Sequence, residues 1–392
     1  LLYPRLFLAV YAAAGLVWIL YSRGLIDPAG HPLGADFMTP WSASRLAQDR
    51  APAAAYDIMR MWAAERAAVG NPGVGYAGFY YPPIYLLIVF PLAFLPYAWS
   101  LIAWSIATLS AYLATVWKIV PEWPALWLAL AFPGVLVNLT NGQNGFLTTA
   151  LLAGALLSVE RAPVLAGALF GLMSYKPQFA TLAPLFLLVT GRWRALVAAA
   201  GTVGLLAAAS FAAFGADTWR AFFGSLDFSR RVVLEHGGIG FRNMQSLFAF
   251  ARLWGLDVTT AYALQACASA AAVVGAVYVW RRTAKPELHA AALALGTLLF
   301  SPYLVDYDLV ILALPIAWLG VQGRRLGFLP FEKSLLVLAW ILPAVARTFA
   351  GRAGIPLTPV VLLLLLGIVI RRSALPHGDS AHTDASTSLA TA

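Results

Sequence analysis

"PPIYLLIVFPLAFLPYAWSLIAWSIATLSAYLATVW", residues 82–117, decides the fold class. It carries no charged side chain, and the uncharged stretch already begins at Ala67. A bilayer crossing needs about 20 apolar residues, so this run has room for two. Uncharged runs also cover residues 123–159 and 258–280. The chain is 61% hydrophobic and 11% charged, with mean hydropathy +0.77. Soluble domains carry about 25% charged residues. The sequence therefore encodes an all-α, polytopic membrane protein.

The net charge of +9 does not point to nucleic acid. Arg and Lys fall in short clusters between apolar runs, as the positive-inside rule requires. Cys267 stands alone in an apolar run, which leaves no disulfide and no thiolate metal site. The N-terminal run reads as a retained first helix. The chain forms one domain, 1–372, without internal repeats, followed by a small, polar and disordered cytoplasmic tail, 373–392.

Spans are expected at 6–22, 82–97, 99–117, 124–140, 145–158, 162–174, 178–190, 195–214, 258–280, 287–301, 306–320, 332–349 and 356–370, each bounded by Pro, Gly or charge. Arg5, Arg161, Arg192, Arg194, Arg281, Arg282, Lys285, Arg324, Arg325, Arg371 and Arg372 belong in the cytoplasm. Counting every segment as a crossing would put Arg161 outside. One segment must fail to cross, and 124–140 is the expected one because "FPGV" interrupts it. That leaves about 12 crossings with both termini inside. Two long extracytoplasmic loops are expected, 22–80 and 215–245, both longer than ordinary connections. The first contains a helix start at Thr39–Pro40 and an amphipathic helix with Ile58, Met61 and Trp62 on one face.

Polar residues stand out against this background. Asp36 precedes the Thr39–Pro40 helix start. It reads as a loop carboxylate or cap, as a cation ligand, or as a general base. Tyr80 and Tyr81 mark the water boundary ahead of Pro82, as anchors or as faces for sugar stacking. Asn141, Gln143 and Asn144 in "NLTNGQNGF" (138–146) form a polar turn, or a set of amides suited to hydroxyl-rich ligands. Lys176 in "SYKPQ" (174–178) lies between apolar segments, against the positive-inside bias. It either snorkels or meets an anion such as a lipid phosphate. In "GFRNMQSL" (240–247), Arg242 can clamp a phosphate, while Asn243, Gln245 and Ser246 can bind sugar hydroxyls or cap the next helix. Asp306 and Asp308 in "SPYLVDYDL" (301–309) diverge on a helix, one toward a cavity and one as a cap. No metal site is expected, because the two lack a third acid or a His nearby.

The ordered set "ADFMTPWSASRLA" (35–47), "AYD" (55–57), "FYYPPIYLLIVFPLAFLPY" (79–97), "NGQNGFLTTALL" (141–152), "LAGALFGLMSYKPQFATLAPLFLL" (165–188), "RNMQSLF" (242–248) and "SPYLVDYDL" resembles glycosyltransferase family 87. The likeness runs to about residue 320. It implies a GT-C-type bundle and a polyprenyl-phosphate-sugar donor, as in the mycobacterial polyprenol-phosphate-mannose-dependent mannosyltransferases. It implies Asp36 as the catalytic residue of the first extracytoplasmic loop, and places the family's amide and Lys-Pro-Gln segments on Gln143, Asn144, Lys176 and Gln178. Some actinobacterial relatives carry His where this chain has Asp306 to Asp308.

The expected activity is inverting transfer of mannose or another hexose or pentose to a lipid or glycan acceptor. It would take place on the outer face of the bacterial inner membrane. Lys176 and Arg242 would hold the donor phosphate. Tyr80, Tyr81, Asn141, Gln143, Asn144, Gln178, Asn243, Gln245, Asp306 and Asp308 would contact sugar or acceptor. Partners are the lipid-linked donor, the acceptor and membrane lipids, with no cofactor, metal or nucleic acid. The alternatives are a flippase or transporter, or a polymerase, of lipid-linked glycans. Related halves around a midplane site would favour a transporter, and none is visible in the sequence.

Overall fold

The computed structural model describes residues 2–375, so the expected tail beyond Leu375 lies outside the described residues. Helix α1 (Leu2–Tyr21) is 20 residues long, roughly 30 Å at 1.5 Å per residue. A tight turn follows, in which Asp27 accepts from the Trp18 indole and from the N–H groups of Ala29 and His31.

The segment 22–80 is structured. Helix α2 (Met38–Gln48) starts one residue before the expected Thr39. Thr39 does not cap it, because its hydroxyl turns to Glu65 and to the Ala77 carbonyl, each at 3.4 Å. A 3₁₀ turn, Pro52–Tyr56, leads to α3 (Ile58–Val69). Asp57 caps α3 by accepting from Arg60 N–H, and Gly70 ends it in the left-handed region. The expected helix forms, but its buried face is not the expected one, since Ile58 is exposed and Trp62 half-buried. Its buried stripe is Met61, Glu65 and Val69, spaced four apart, while the Trp62 indole donates to the Val74 carbonyl at 2.7 Å.

The segment expected as one span at 82–97 is not one continuous helix. It consists of α4 (Pro83–Val89) and a 3₁₀ segment, Phe90–Phe94. Pro91 and Pro96 break the helix, which leaves a piece shorter than a regular span, as are several other apolar helices of the bundle. The Phe90 carbonyl accepts from Ser44 at 2.7 Å and Gln48 at 2.8 Å, which ties the break to α2. Helix α5 (Tyr97–Ile119) is a full span of 23 residues.

The "FPGV" interruption forms as expected. Helices α6 (Trp123–Leu130) and α7 (Pro133–Asn141) meet at a 50° bend. Phe132 N–H turns to Ala129, and Pro133 has no N–H to give. Next come α8 (Gly145–Ser158), α9 (Pro163–Leu172) with its 3₁₀ extension Met173–Tyr175, and α10 (Pro177–Ala180) with α11 (Leu182–Val189).

The second long loop, 215–245, is also corrected. Helix α12 (Trp193–Phe228) runs through it and continues as a π-helical turn, Ser229–Glu235, offset only at Gly215 (φ 81°). No Pro falls between 216 and 235, and Asp227 pairs with Arg230 at 2.7 Å and Arg231 at 2.9 Å along the helix. Only the stretch from His236, through the paired glycines 237 and 238, leaves helical form.

The rest is α13 (Leu247–Leu253), α14 (Val258–Arg282), α15 (Pro286–Phe300), the 3₁₀ turn Asp306–Leu312 continuing into α16 (Ala313–Leu326), α17 (Glu332–Ala353) and α18 (Leu357–Ala374). Helix α15 is buried all round from Leu288 to Leu299 and forms the centre of the bundle. Among the described residues seven helices are long and apolar enough to cross a membrane, or eight with α6 and α7 as one bent span.

Two contacts orient the bent pair. At its start Glu122 receives two hydrogen bonds from Arg324, at 2.7 and 2.8 Å. Toward its end Asn138 donates to the Tyr307 carbonyl at 3.1 Å. The pair thus runs antiparallel to the whole segment Asp306–Leu326.

Candidate active site

The turn between α7 and α8 is the hub. Gly142 sits at φ 64° and packs so closely that an added Cβ would fall 2.6 Å from Phe37 Cβ. Only glycine fits there. The close approach lets the Asn141 carbonyl accept from the N–H groups of Asp36 (3.0 Å) and Phe37 (3.2 Å), locking the catalytic-loop candidate to the amide turn.

From Asp36 a continuous chain of hydrogen bonds crosses the molecule. Gln143 Nε2 donates to Asp36 Oδ2 at 2.8 Å, and Gln143 Oε1 accepts from Asn144 N–H at 3.2 Å. Asn144 Nδ2 donates to the hydroxyls of Tyr81 (3.0 Å) and Tyr85 (3.2 Å). Asn144 Oδ1 accepts from Lys176 Nζ at 3.0 Å, and Lys176 also pairs with Asp308 Oδ1 at 2.6 Å. Asp308 Oδ2 accepts from Val305 N–H at 3.3 Å. Tyr85 stacks on Tyr175, whose hydroxyl lies 2.7 Å from Thr148.

The structure therefore brings together Asp36, Tyr81, Gln143, Asn144, Lys176 and Asp308 from distant parts of the chain. Asp306 is next to them and faces Arg347 at 3.9 Å. Asp308 serves both as ion-pair partner and as cap of its own turn, so the expected split of roles between the two aspartates takes a different form.

Electrostatics separate the charges. Lys176 is 3% exposed and donates to both Asp308 and Asn144. Arg347 is half-exposed and loosely held. Burial pushes the Asp36 carboxyl above the ordinary carboxylate range, against the Gln143 hydrogen bond and the positive charges of Lys176 and Arg347. The side chain still keeps part of its surface open. A partly open carboxylate with a raised pKa can take a proton, and a guanidinium held only loosely by Asp306 can meet an anion.

Other expected residues lie elsewhere. Asn141 contributes its carbonyl, while its side-chain amide donates to Val137 in its own helix at 2.7 Å. Tyr80 turns toward Tyr76 and over Gly78. Gln178 is half-buried in α10. Asn243 donates to Ile239 at 2.5 Å, and its carbonyl receives Asp306 N–H at 3.0 Å. Gln245 is fully buried, with its amide donating to the Arg242 carbonyl and accepting from Thr358 at 2.8 Å, so it faces α18. Ser246 caps α13 through Ala249 N–H. Arg242 is exposed and its stem lies over Gly351, one helical turn beyond Arg347 on the same face of α17.

Sequence reasoning missed Arg347, Tyr85, Tyr175 and Glu65. An ionisable residue inside an apolar span is a signal in its own right, and Arg347 was inside the expected span 332–349. The tyrosines were hidden within apolar runs.

The chain is all-helical among the described residues, with several helices long and apolar enough to cross a membrane and a hydrogen-bonded polar network that runs from Asp308 to Asp36. The profile of glycosyltransferase family 87 matches residues 79–302, more than half of the chain. The chain belongs to that family. No curated protein and no solved structure matches it. Asp36, Asp306, Asp308 and Arg347 all lie outside the matched residues.

Proposed function

We propose that this membrane glycosyltransferase takes its sugar from a polyprenyl-phosphate donor on the extracytoplasmic face and transfers it, with inversion, to a lipid or glycan acceptor. The observation carrying this reading is Asp36, partly open at the end of the hydrogen-bonded chain and within the field of Arg347, which Asp306 holds only loosely. Its carboxylate takes the acceptor hydroxyl proton. The acceptor oxygen attacks the anomeric carbon from the face opposite the phosphate, and the carbon–phosphate oxygen bond breaks with its electron pair staying on the phosphate.

Arg347, with Arg242 one turn further out, is positioned to hold that phosphate. The expectation from sequence was Lys176 together with Arg242. The buried ammonium of Lys176, paired with Asp308, supports a different role: a fixed positive charge that orients Asn144 and Asp308. Asn144 and the Tyr81 hydroxyl are the polar groups best placed for sugar hydroxyls, and mannose is one candidate sugar.

The contacts also support a topology. The bent pair α6–α7 runs the length of Asp306–Leu326, so it crosses. The segment 83–97 is the one that stays on the outer side. With the shorter helices α8, α9, α10–α11 and α15 crossing inside the bundle, all basic clusters fall in the cytoplasm and the crossings again number about 12.

The test is incubation of the purified protein with radiolabelled polyprenyl-phosphate sugars and membrane acceptors. Transfer that survives EDTA is expected, since a monophosphate leaving group carries less charge than a diphosphate and two arginines can offset it. Arg347→Ala should raise the KM for the donor by more than tenfold. Loss of activity on chelation with recovery on Mg²⁺ or Mn²⁺ would overturn the metal-free scheme, and turnover with nucleotide sugars alone would overturn the donor.

A further inference from the structure

The bend between α6 and α7 opens a groove that the acidic pocket does not use. Its volume is about 460 Å³, and α6, α16 and α17 wall it with Ala125, Leu128, Ile316, Gly320 and Val337. The bend builds its floor. Phe132 N–H turns to Ala129, which frees the Leu128 carbonyl, and the Trp340 indole takes that carbonyl up at 3.1 Å. Phe132 and Trp340 close the deep end, with ring centres 6.3 Å apart.

The mouth is polar and positive. Glu122, Arg324 and Lys333 line it. Arg324 is engaged by Glu122 at 2.7 Å, whereas Lys333 is exposed, lies 4.9 Å over the Phe328 ring and makes no salt bridge among the described residues. Two cations against one carboxylate leave a surplus positive charge where the apolar slot opens.

An apolar slot between membrane-spanning helices, with a free ammonium at its mouth, matches one alkyl chain below a phosphate headgroup. We propose that the groove holds one acyl chain of an anionic phospholipid, with its phosphate on Lys333 and the outward edge of Arg324. The mouth and the acidic pocket sit at opposite ends of the 21-residue segment Asp306–Leu326, roughly 30 Å apart. A donor whose sugar must reach Asp36 cannot place its headgroup here. The occupant is therefore a phospholipid of the opposite leaflet, and the site is independent of the reaction assigned to the pocket.

The experiment uses the full chain, purified and stripped of lipid in detergent, then offered phosphatidylglycerol or phosphatidylcholine of the same acyl composition. Native mass spectrometry reads the adducts. A single phosphatidylglycerol adduct at several-fold higher occupancy than phosphatidylcholine is expected. Lys333→Glu should abolish that preference. A Cβ at Gly320 meets open space, so Gly320→Leu should fold with an unchanged melting temperature, fill the slot and lose both adducts. Equal retention of the two lipids by the wild-type chain would overturn the proposal. So would a full lipid adduct on folded Gly320→Leu, or displacement of phosphatidylglycerol by an equimolar polyprenyl phosphate.

Discussion

Lys176 has 3% of its surface exposed, and a charge so placed needs partners. Asp308 and Asn144 supply them. Removing one member of a buried pair strands the other, at about 3–5 kcal/mol, whereas an apolar pair of similar volume is often neutral. Lys176→Met should therefore lower stability by about that amount, and Lys176→Met with Asp308→Leu should recover most of it. Thermal unfolding in detergent checks both, and a single variant that melts like the wild type would contradict the buried pair.

Glu65 makes a second residue-scale prediction. Burial pushes its carboxyl up to about 8, while hydrogen bonds from Ala77 N–H and Thr39 pull the other way. A carboxyl raised on folding is held neutral, so its folded form is favoured at acid pH and loses stability as pH rises from the unfolded value through about 8. Proteolytic nicking of residues 70–80 should increase between about pH 6 and about pH 9, and Glu65→Gln should flatten the profile. A wild-type profile that is already flat would contradict it.

At this scale the sequence was informative wherever a polar residue interrupted an apolar run. Asp36, Gln143, Asn144, Lys176 and Asp308 all announced themselves that way. Glu65 and Arg347 did not, because each occupies a helix whose apolar pattern dominated the reading, and only tertiary packing shows what they face.

Among the elements, the break at "FPGV" was legible because Pro133 removes a donor whatever surrounds it. The packing of its two arms was not, because the neighbour Asp306–Leu326 that they line is remote in sequence. The break within 82–97 was equally hidden. Its composition is that of one continuous span, but Pro91 and Pro96 divide it and Ser44 and Gln48 of α2 hold its broken backbone. The stretch 215–235 read as loop because charge and Gly215 were taken as an end, while paired charges along the helix carry it onward.

Single cysteines in a Cys267→Ser background test this arrangement. Pro72→Cys and Leu95→Cys should react with an impermeant thiol reagent from the same side, and Pro121→Cys only from the other. Labelling of Pro72→Cys together with Pro121→Cys, with Leu95→Cys reacting only from the other side, would mean that 83–97 crosses, and the topology would fail.

For the whole molecule, the family match covers the middle of the chain while the loop before it and the helices after it supply Asp36, Asp308 and Arg347. The pocket is thus a joint product of both ends closing on the matched core, and Asn144 is the point where they meet. The central claim is that this convergence serves a proton transfer at Asp36. The direct measurement is transfer from a radiolabelled polyprenyl-phosphate sugar by the wild type and Asp36→Asn, across pH, with thermal melting recorded for both. Loss of a general base costs about 10²–10⁴ in rate. The account predicts a loss of that size with an unchanged melting temperature, and a wild-type acid limb above the ordinary carboxylate range, because burial raises Asp36. Turnover by Asp36→Asn within a few-fold of wild type would contradict it.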